Sequence, residues 1–243
     1  MNVLVFQHAA SENPGAFCDL FRADGLSLHT VEFDLGQTIP DLDPFDFLLV
    51  MGGPQDVWQE NEFPWLKDEK AAIRKFVVGM RRPFLGICLG HQLLAESVGG
   101  KVGPAKTPEI GVYKNFKTDA GSRDRVFAVL PDPYKALQWH GAEVTGLPDG
   151  AELLAHSAAC PVQAFRYGDR AYGLQGHIEA TRDTVPAWAK LPEYSNSSDP
   201  AYRKENIDRL ANDVETSMLE INAVARSLYL NFISPACTSL NKK

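Results

Sequence analysis

Two uninterrupted apolar runs organise the first half of the chain, Val3-Leu4-Val5-Phe6 near the start and Phe47-Leu48-Leu49-Val50-Met51, which ends in Gly52-Gly53-Pro54. Continuous rather than alternating apolar strands belong to a parallel sheet covered on both faces. Between the two runs the pattern predicts a helix through residues 16–21 and a strand near residues 28–33, so the chain opens as a βαβ unit. A helix from about residue 64 to 78 precedes the short buried strand Pro83-Phe84-Leu85-Gly86-Ile87, and residues 92–98 read as a helix closed by Gly99-Gly100. Beyond Gly100 the segments shorten: those around residues 112–116, 126–129, 136–139 and 151–154 have an antiparallel character, and residues 160–167 and 170–175 flank Gly168-Asp169 as a hairpin. Asp199 is placed to cap a helix with Pro200 in its first turn, and helices are expected to run to about Phe232. The expected fold is α/β, a mostly parallel central sheet with helices on both faces and a small antiparallel extension.

Composition narrows the class. With 243 residues and 44% hydrophobic content, the chain can bury a sizeable core as one large domain or as one domain with a helical appendage. A formal charge of -7 and the lack of any Lys/Arg run exclude a general nucleic-acid or anionic-membrane surface. The N-terminus lacks a charged region followed by a long apolar one, and no window approaches the ~20 apolar residues of a membrane span, so a cytoplasmic location is expected. Cys18, Cys88, Cys160 and Cys237 are far apart with no CxxC pair, and no His/Cys cluster has metal-ligand spacing. That usage suits reduced thiols better than a disulfide framework or a zinc site.

One of those thiols stands out. Gly86-Ile87-Cys88-Leu89-Gly90-His91-Gln92 places Cys88 on the turn between the buried strand and the following helix. Such an elbow holds a side chain over a cleft and aims a helix N-terminus at a thiolate. The alternative is a buried structural cysteine. Acyl transfer on a thiolate also needs a base, a group that orients the base, and donors for the tetrahedral oxyanion. His177 and Glu179, two apart at the end of an expected strand, share one face, so the carboxylate can hold one ring nitrogen while the other faces Cys88. An isolated histidine there would read as structural, and its weight comes from that pairing. Gly52-Gly53-Pro54 follows an apolar strand whose carboxyl end belongs beside the elbow, which makes the Gly53 and Leu89 N–H groups candidate oxyanion donors. Taken alone, Gly52-Gly53-Pro54 is a simple turn.

With these pieces in family order, the chain resembles a class I (triad-type) glutamine amidotransferase domain, the glutaminase module also found in guanylate synthase and carbamoyl phosphate synthase. The matching motifs are Met51-Gly52-Gly53-Pro54, the elbow from Gly86 to Ala95, Glu109-Ile110-Gly111, Trp139-His140-Gly141 and Gly173-Leu174-Gln175-Gly176-His177-Ile178-Glu179. The resemblance implies a flavodoxin-like architecture over residues 1–190, with residues 191–243 as a helical extension packed on the same domain. It also implies Cys88 as nucleophile, His177 as general acid and base, Glu179 as the group orienting it, and Gly53 and Leu89 as the oxyanion hole. Gln92, with His140 and Gly141, would bind the amino-acid portion of the substrate, and no metal or cofactor would be required. The implied substrate is glutamine or another γ-glutamyl compound, attacked to give a γ-glutamyl thioester.

No nucleotide-binding loop of the GxxxxGK type follows Glu179, so the chain is no synthetase. The nitrogen would pass to an unidentified acceptor or a separate synthetase subunit. One alternative is a free-standing hydrolase of γ-glutamyl amides or peptides, and a second is a non-catalytic or redox-sensing binding protein. Where the family usually reads Gln-Phe-His-Pro-Glu, this chain has Gly176 and Ile178, which strand alternation turns away from the His177/Glu179 face. His91 is expected to pack, His8 to sit in a solvated loop, and Glu109 to be either a substrate contact or a surface carboxylate. Trp58, Trp65, Trp139 and Trp188 read as core or rim aromatics.

Overall fold

A computed structural model describes residues 2–233 of the chain, so Cys237 lies outside the described residues. In chain order the elements are β1 (Asn2–Gln7), α1 (Phe17–Ala23), β2 (Ser27–Glu32), β3 (Phe47–Val50), α2 (Trp65–Arg74), β4 (Phe84–Ile87), α3 (Leu89–Ser97), β5 (Lys101–Lys117) and α4 (Asp119–Arg123), then β6 (Tyr134–Gly146), β7 (Ala151–His156), β8 (Ala164–Tyr167), β9 (Ala171–Leu174), α5 (Thr184–Trp188), α6 (Pro192–Ser195) and α7 (Lys204–Leu228). Nine strands form one sheet in the order β2-β1-β3-β4-β9-β8-β7-β5-β6. From β2 to β9 the pairing is parallel, and from β9 to β6 it is antiparallel.

The apolar runs explain the parallel half. Side chains on a strand point alternately to opposite faces, and here both faces are covered. Val3, Val5, Phe47, Leu49, Leu85 and Ile87 pack against Phe17 and Phe21 of α1 and Leu228 of α7. Leu4, Phe6, Leu48, Val50 and Phe84 pack against Leu66 and Ile73 of α2 and Leu93 and Leu94 of α3. The helix expected over residues 64–78 is α2 and its π-helical continuation Lys75–Gly79. The hairpin at Gly168-Asp169 is the β8–β9 pair, and Asp199 accepts a hydrogen bond from the Ala201 N–H above the short turn Pro200–Tyr202.

Beyond Gly100 the sequence pattern misled in two places. Residues 126–129 are not a strand but a turn after α4, in which the Asp124 carboxylate accepts from the Val126 and Phe127 N–H groups while both side chains enter the core. A short polar side chain that satisfies local donors in this way competes with strand pairing. Conversely, β5 runs from Lys101 to Lys117, far beyond residues 112–116, because one side of it is largely exposed and carries Lys and Pro residues that break the apolar signal. It pairs with β6 across a register irregularity between Pro104 and Glu109.

After residue 190 the chain returns over the sheet. Leu210 and Val214 of α7 join Trp139, Val185 and Trp188 in a third cluster, and the π-helical turn Tyr229–Ile233 inserts into the first. Phe232 lies edge-on to Phe47 at 5.7 Å and tilted against Tyr172 at 4.6 Å. Truncating a buried Phe to Ala typically costs about 3–5 kcal/mol through lost transfer energy and the cavity left behind. Phe232→Ala is therefore expected to lower the denaturant midpoint of the whole chain in one transition; an unchanged midpoint would mean the segment is not part of the cooperative core.

Candidate active site

Cys88 stands where β4 ends and α3 begins, with φ 51° and ψ -105°, a backbone conformation L side chains rarely adopt. The strain sits on the cysteine rather than on its flanking glycines. Those glycines serve close approach: a Cβ on Gly86 would lie 2.3 Å from the Gly90 carbonyl oxygen, and one on Gly90 would lie 2.3 Å from that of Val50. The helix can thus settle directly on the sheet, and the Cys88 N–H donates to the Leu174 carbonyl at 2.8 Å. Strain of this kind persists where the surroundings over-determine it, and it concentrates at functional sites.

The neighbour of β4 in the parallel sheet is β9, so the chain leaving β9 emerges beside the elbow. Three residues on, His177 is clamped by two backbone hydrogen bonds to Leu137 of β6, at 2.7 and 3.1 Å. Its Nδ1 donates to Glu179 Oε1 at 2.8 Å, and its ring is within hydrogen-bonding reach of Cys88. Burial alone would lower the pKa of His177, but the Glu179 carboxylate and the Cys88 sulfur outweigh burial and raise it well above the ordinary value. Trp188 packs edge-on to the ring at 4.5 Å and closes it off from water.

Two buried titratable groups at this edge, Glu12 and His8, were not legible as site residues. A Cβ on Gly52 would meet Glu12 Oε2 at 2.6 Å and His177 Cε1 at 2.9 Å, which puts the Glu12 carboxyl against the histidine. Burial, with Glu179 adding to it against the opposing pull of His177, pushes the pKa of Glu12 up to about 7. His8, expected in a solvated loop, is buried instead. It donates from Nδ1 to the Gly52 carbonyl at 2.8 Å and from Nε2 to Glu69 of α2 at 3.0 Å, sandwiched between Phe33 and Trp65. With both ring nitrogens donating, His8 is the cation of a buried pair that fixes the Gly52-Gly53 backbone.

Gly53, Leu89 and Cys88 line one cavity of about 170 Å³ together with Gln92, His140 and Gly141. All the sequence-derived site residues except His177 and Glu179 therefore border it, and those two stand behind Cys88. The Gln92 amide donates to the Ala142 carbonyl and to Gln175 Oε1, both at 3.1 Å, and Gln175 in turn donates to the Cys88 sulfur at 3.6 Å. Both ring nitrogens of His140 are engaged as well, with the Ala142 carbonyl and with Glu109. Glu109 is thus no surface carboxylate. His91 packs as expected, under Gly173 and against Phe165, with its pKa pushed down to about 3 by burial. The far wall is Trp139, Tyr194 and Tyr202, whose ring centroids lie 5.2 to 5.7 Å apart. Burial and the nearby Glu12 and Cys88 hold the Tyr194 hydroxyl protonated, well above its ordinary range. Both tyrosines lie beyond residue 190 and carry no sequence signal of a site.

The family model for class-I glutamine amidotransferases matches residues 16–186. The chain belongs to this family. Among relatives of these amidotransferases, the glutamine amidotransferase-like protein YfeJ of Salmonella typhimurium is 35% identical over 189 residues, 76% of this chain and 78% of that protein. A glutamine-hydrolyzing GMP synthase subunit from Ignicoccus hospitalis is 36% identical over 141 residues, 58% of this chain and 70% of that one. A solved glutamine amidotransferase from Thermotoga maritima superposes with a TM-score of 0.82 at 29% identity, covering 94% of this chain and 96% of its own. Fold and enzyme class are those of the class I glutamine amidotransferases.

Within that family pattern, Gly176 has a local cause. A Cβ there would lie 2.4 Å from Gln138 Nε2 and 2.8 Å from the Ala136 Cβ, so β6 side chains occupy the space an aromatic residue would need. Gly176→Phe is expected to destabilise this amidotransferase by about 1–3 kcal/mol through overpacking, and Gln138→Ala in the same chain to recover part of the loss in denaturant melts. A second expectation concerns Glu12. Its folded-state pKa of about 7 exceeds the 4.5 of an exposed carboxyl, so the folded chain holds a proton that the unfolded chain releases, and stability falls as pH rises through that window. Glu12→Gln should flatten this slope by up to about 3 kcal/mol between the two values, measured as unfolding free energy against pH; identical slopes in both proteins would contradict it.

Proposed function

We propose that the chain hydrolyses the side-chain amide of glutamine through Cys88, His177 and Glu179, releasing ammonia. The observation that carries this reading is a buried histidine whose Nδ1 is held by Glu179 at 2.8 Å while its ring reaches the strained Cys88 at the edge of a small cavity. The raised pKa of His177 favours the imidazolium beside a thiolate, the state in which a cysteine attacks a carbonyl.

The thiolate adds to the amide carbon, and the oxyanion develops toward the Gly53 and Leu89 N–H groups, the latter at the N-terminus of α3. His177 then protonates the departing nitrogen, ammonia leaves, and a γ-glutamyl thioester remains on Cys88. Neutral His177 next takes a proton from water, which attacks the thioester and frees glutamate. These steps draw on protein groups alone. Glu179 acts as a positioning residue, fixing the tautomer and stabilising the imidazolium each time it forms. Glu12, near neutrality in its own titration, holds back a second negative charge from the same histidine. The Gln92–Gln175 pair braces the Cys88 sulfur, while Trp139, Tyr194 and Tyr202 limit the size of the amide that enters. Residues 1–190 and the helical segment after them act as one domain in this reading, since the segment supplies part of the pocket wall.

The ammonia would pass to a separate synthetase partner, as the similarity to a glutamine-hydrolyzing GMP synthase subunit suggests by analogy. Ammonia release from glutamine by the purified chain, alone and with candidate synthetase partners present, tests the reading. Cys88→Ala is expected to abolish release. Loss of the acid and base in His177→Asn should cost about 10²–10⁴-fold in kcat. Full activity in Cys88→Ala would remove the proposed site, and glutamate release from γ-glutamyl dipeptides without ammonia release from glutamine would make the protein a γ-glutamyl hydrolase instead.

A further inference from the structure

A second group of buried ligating side chains stands apart from Cys88 and His177 and has no part in the steps above. Glu109 from β5, His140 from β6 and Cys160 from the loop before β8 are all buried, and their ligand atoms lie within 4.8 Å of one another. No spacing along the chain announces this trio, because the β5–β6 pairing sets Glu109 opposite His140 and the turn at residues 157–160 brings in the thiol.

Within the trio, His140 and Glu109 face one another directly. His140 Nδ1 lies 3.0 Å from the Ala142 carbonyl, which can only accept, so Nδ1 carries the ring proton and Nε2 is directed at Glu109 Oε2, 3.2 Å away. A hydrogen bond joins the two in the metal-free chain, and a metal cation lying between them would take its place. Two nitrogen or oxygen ligands on one tetrahedral zinc, each about 2.0–2.1 Å from the metal, stand about 3.3 Å apart, close to the observed spacing. A ring N–H given to a backbone carbonyl is also the usual orientation of a zinc-ligating histidine.

The outer partners are in place for the other ligands too. Ser157 Oγ donates to Glu109 Oε1 at 2.8 Å, and Gln163 Nε2 donates to Oε2 at 2.6 Å. The Cys160 N–H donates to Ser157 Oγ at 2.9 Å, fixing the loop that carries the thiol. Glu143 adds a separate observation. Its side chain is within hydrogen-bonding range of the Cys160 thiol, the residue is only 7% exposed, and its Oε2 has no hydrogen-bond partner. A simple imidazolium–carboxylate pair would account for His140 and Glu109 but not for the thiol and the unpartnered carboxylate oxygen beside them.

We propose that Glu109, His140 and Cys160 form a three-ligand Zn²⁺ site that ties β5, β6 and the loop before β8 together behind the His140-Gly141 wall of the cavity. Zn²⁺ takes Cys160 as the thiolate, the thiol proton leaving to solvent, and no electron transfer is involved. Glu109 and the thiolate balance the metal's charge, water takes the fourth position of the tetrahedron, and Glu143 stands beside the thiol as its outer neighbour.

The test uses the full chain, stripped with a chelator and then supplied with Co²⁺ or Zn²⁺. One equivalent of Co²⁺ is expected to give thiolate-to-cobalt charge-transfer absorption with the visible bands of a tetrahedral ion. Zn²⁺ should abolish these bands, remain bound at one equivalent after desalting, and raise the Tm. Cys160→Ser should lose the charge-transfer band, whereas Cys88→Ala should keep it, which separates this site from the catalytic thiol and from the success or failure of the proposed reaction. If Cys160→Ser does not fold by circular dichroism, Glu109→Gln takes its place, with loss of the tetrahedral bands expected. A folded wild-type chain that retains no metal, or a charge-transfer band that survives Cys160→Ser and disappears in Cys88→Ala, overturns the proposal.

Discussion

The parallel pairing of β4 with β9 is the contact from which the candidate catalytic edge is built. It aligns the carboxyl ends of two strands far apart in sequence, so the elbow that follows one and the His177 segment that follows the other leave the sheet side by side. The hydrogen bond from the Cys88 N–H to the Leu174 carbonyl extends that ladder by one more rung into the elbow itself. On the other flank β3 ends in Gly52-Gly53, and the Gly90 N–H donates to the Met51 carbonyl at 3.2 Å. Crevices beyond the carboxyl ends of parallel strands are where open α/β sheets bind ligands. Here three such ends, from β3, β4 and β9, carry the Gly52-Gly53 turn, the thiol and the histidine of the candidate site.

Concentrating those groups means burying charge, and the structure answers each instance with a specific partner. His177 has Glu179, and His8 has Glu69. An isolated buried charge is costly, and removing one member of such a pair generally does more harm than the intact pair does good. These pairs therefore secure geometry more than stability. The His8–Glu69 pair fixes a carbonyl in the Gly52-Gly53 turn and ties it to α2, so the turn is held from the side opposite the cavity. Glu12, with one oxygen lacking a hydrogen-bond partner, is the exception, and its pKa near 7 is the physical expression of that.

The parallel half of the fold could be read from the sequence because its strands are buried on both faces and therefore apolar at every position. The antiparallel half could not be read as well. Exposure of one side of β5 lets lysines and prolines interrupt the pattern, and Asp124 turned an apolar pair into a capped turn rather than a strand. The elbow and the His177/Glu179 spacing were legible because they are local, the first a backbone turn and the second a pair two residues apart. Glu12, Tyr194 and Tyr202 were not, since the meeting of Glu12 with His177 and of the two tyrosines with the Cys88 cavity joins segments distant along the chain.

Gly176 shows where that division falls. The resemblance implies that a glycine stands where the family usually carries an aromatic residue, and strand alternation turns that position away from His177. Only the tertiary structure says why, since Gln138 and Ala136 from a distant strand already fill the space. The same holds more widely. By itself the sequence determined the strand and helix types of the parallel half, the βαβ order and the local setting of the candidate thiol, histidine and carboxylate, because backbone propensity and local hydrogen bonding act over a few residues. Which of those groups meet, what closes the cavity over them, and the gathering of Glu109, His140 and Cys160 were decided by the packing of strands and helices, whose contacts join residues with no local relation along the chain.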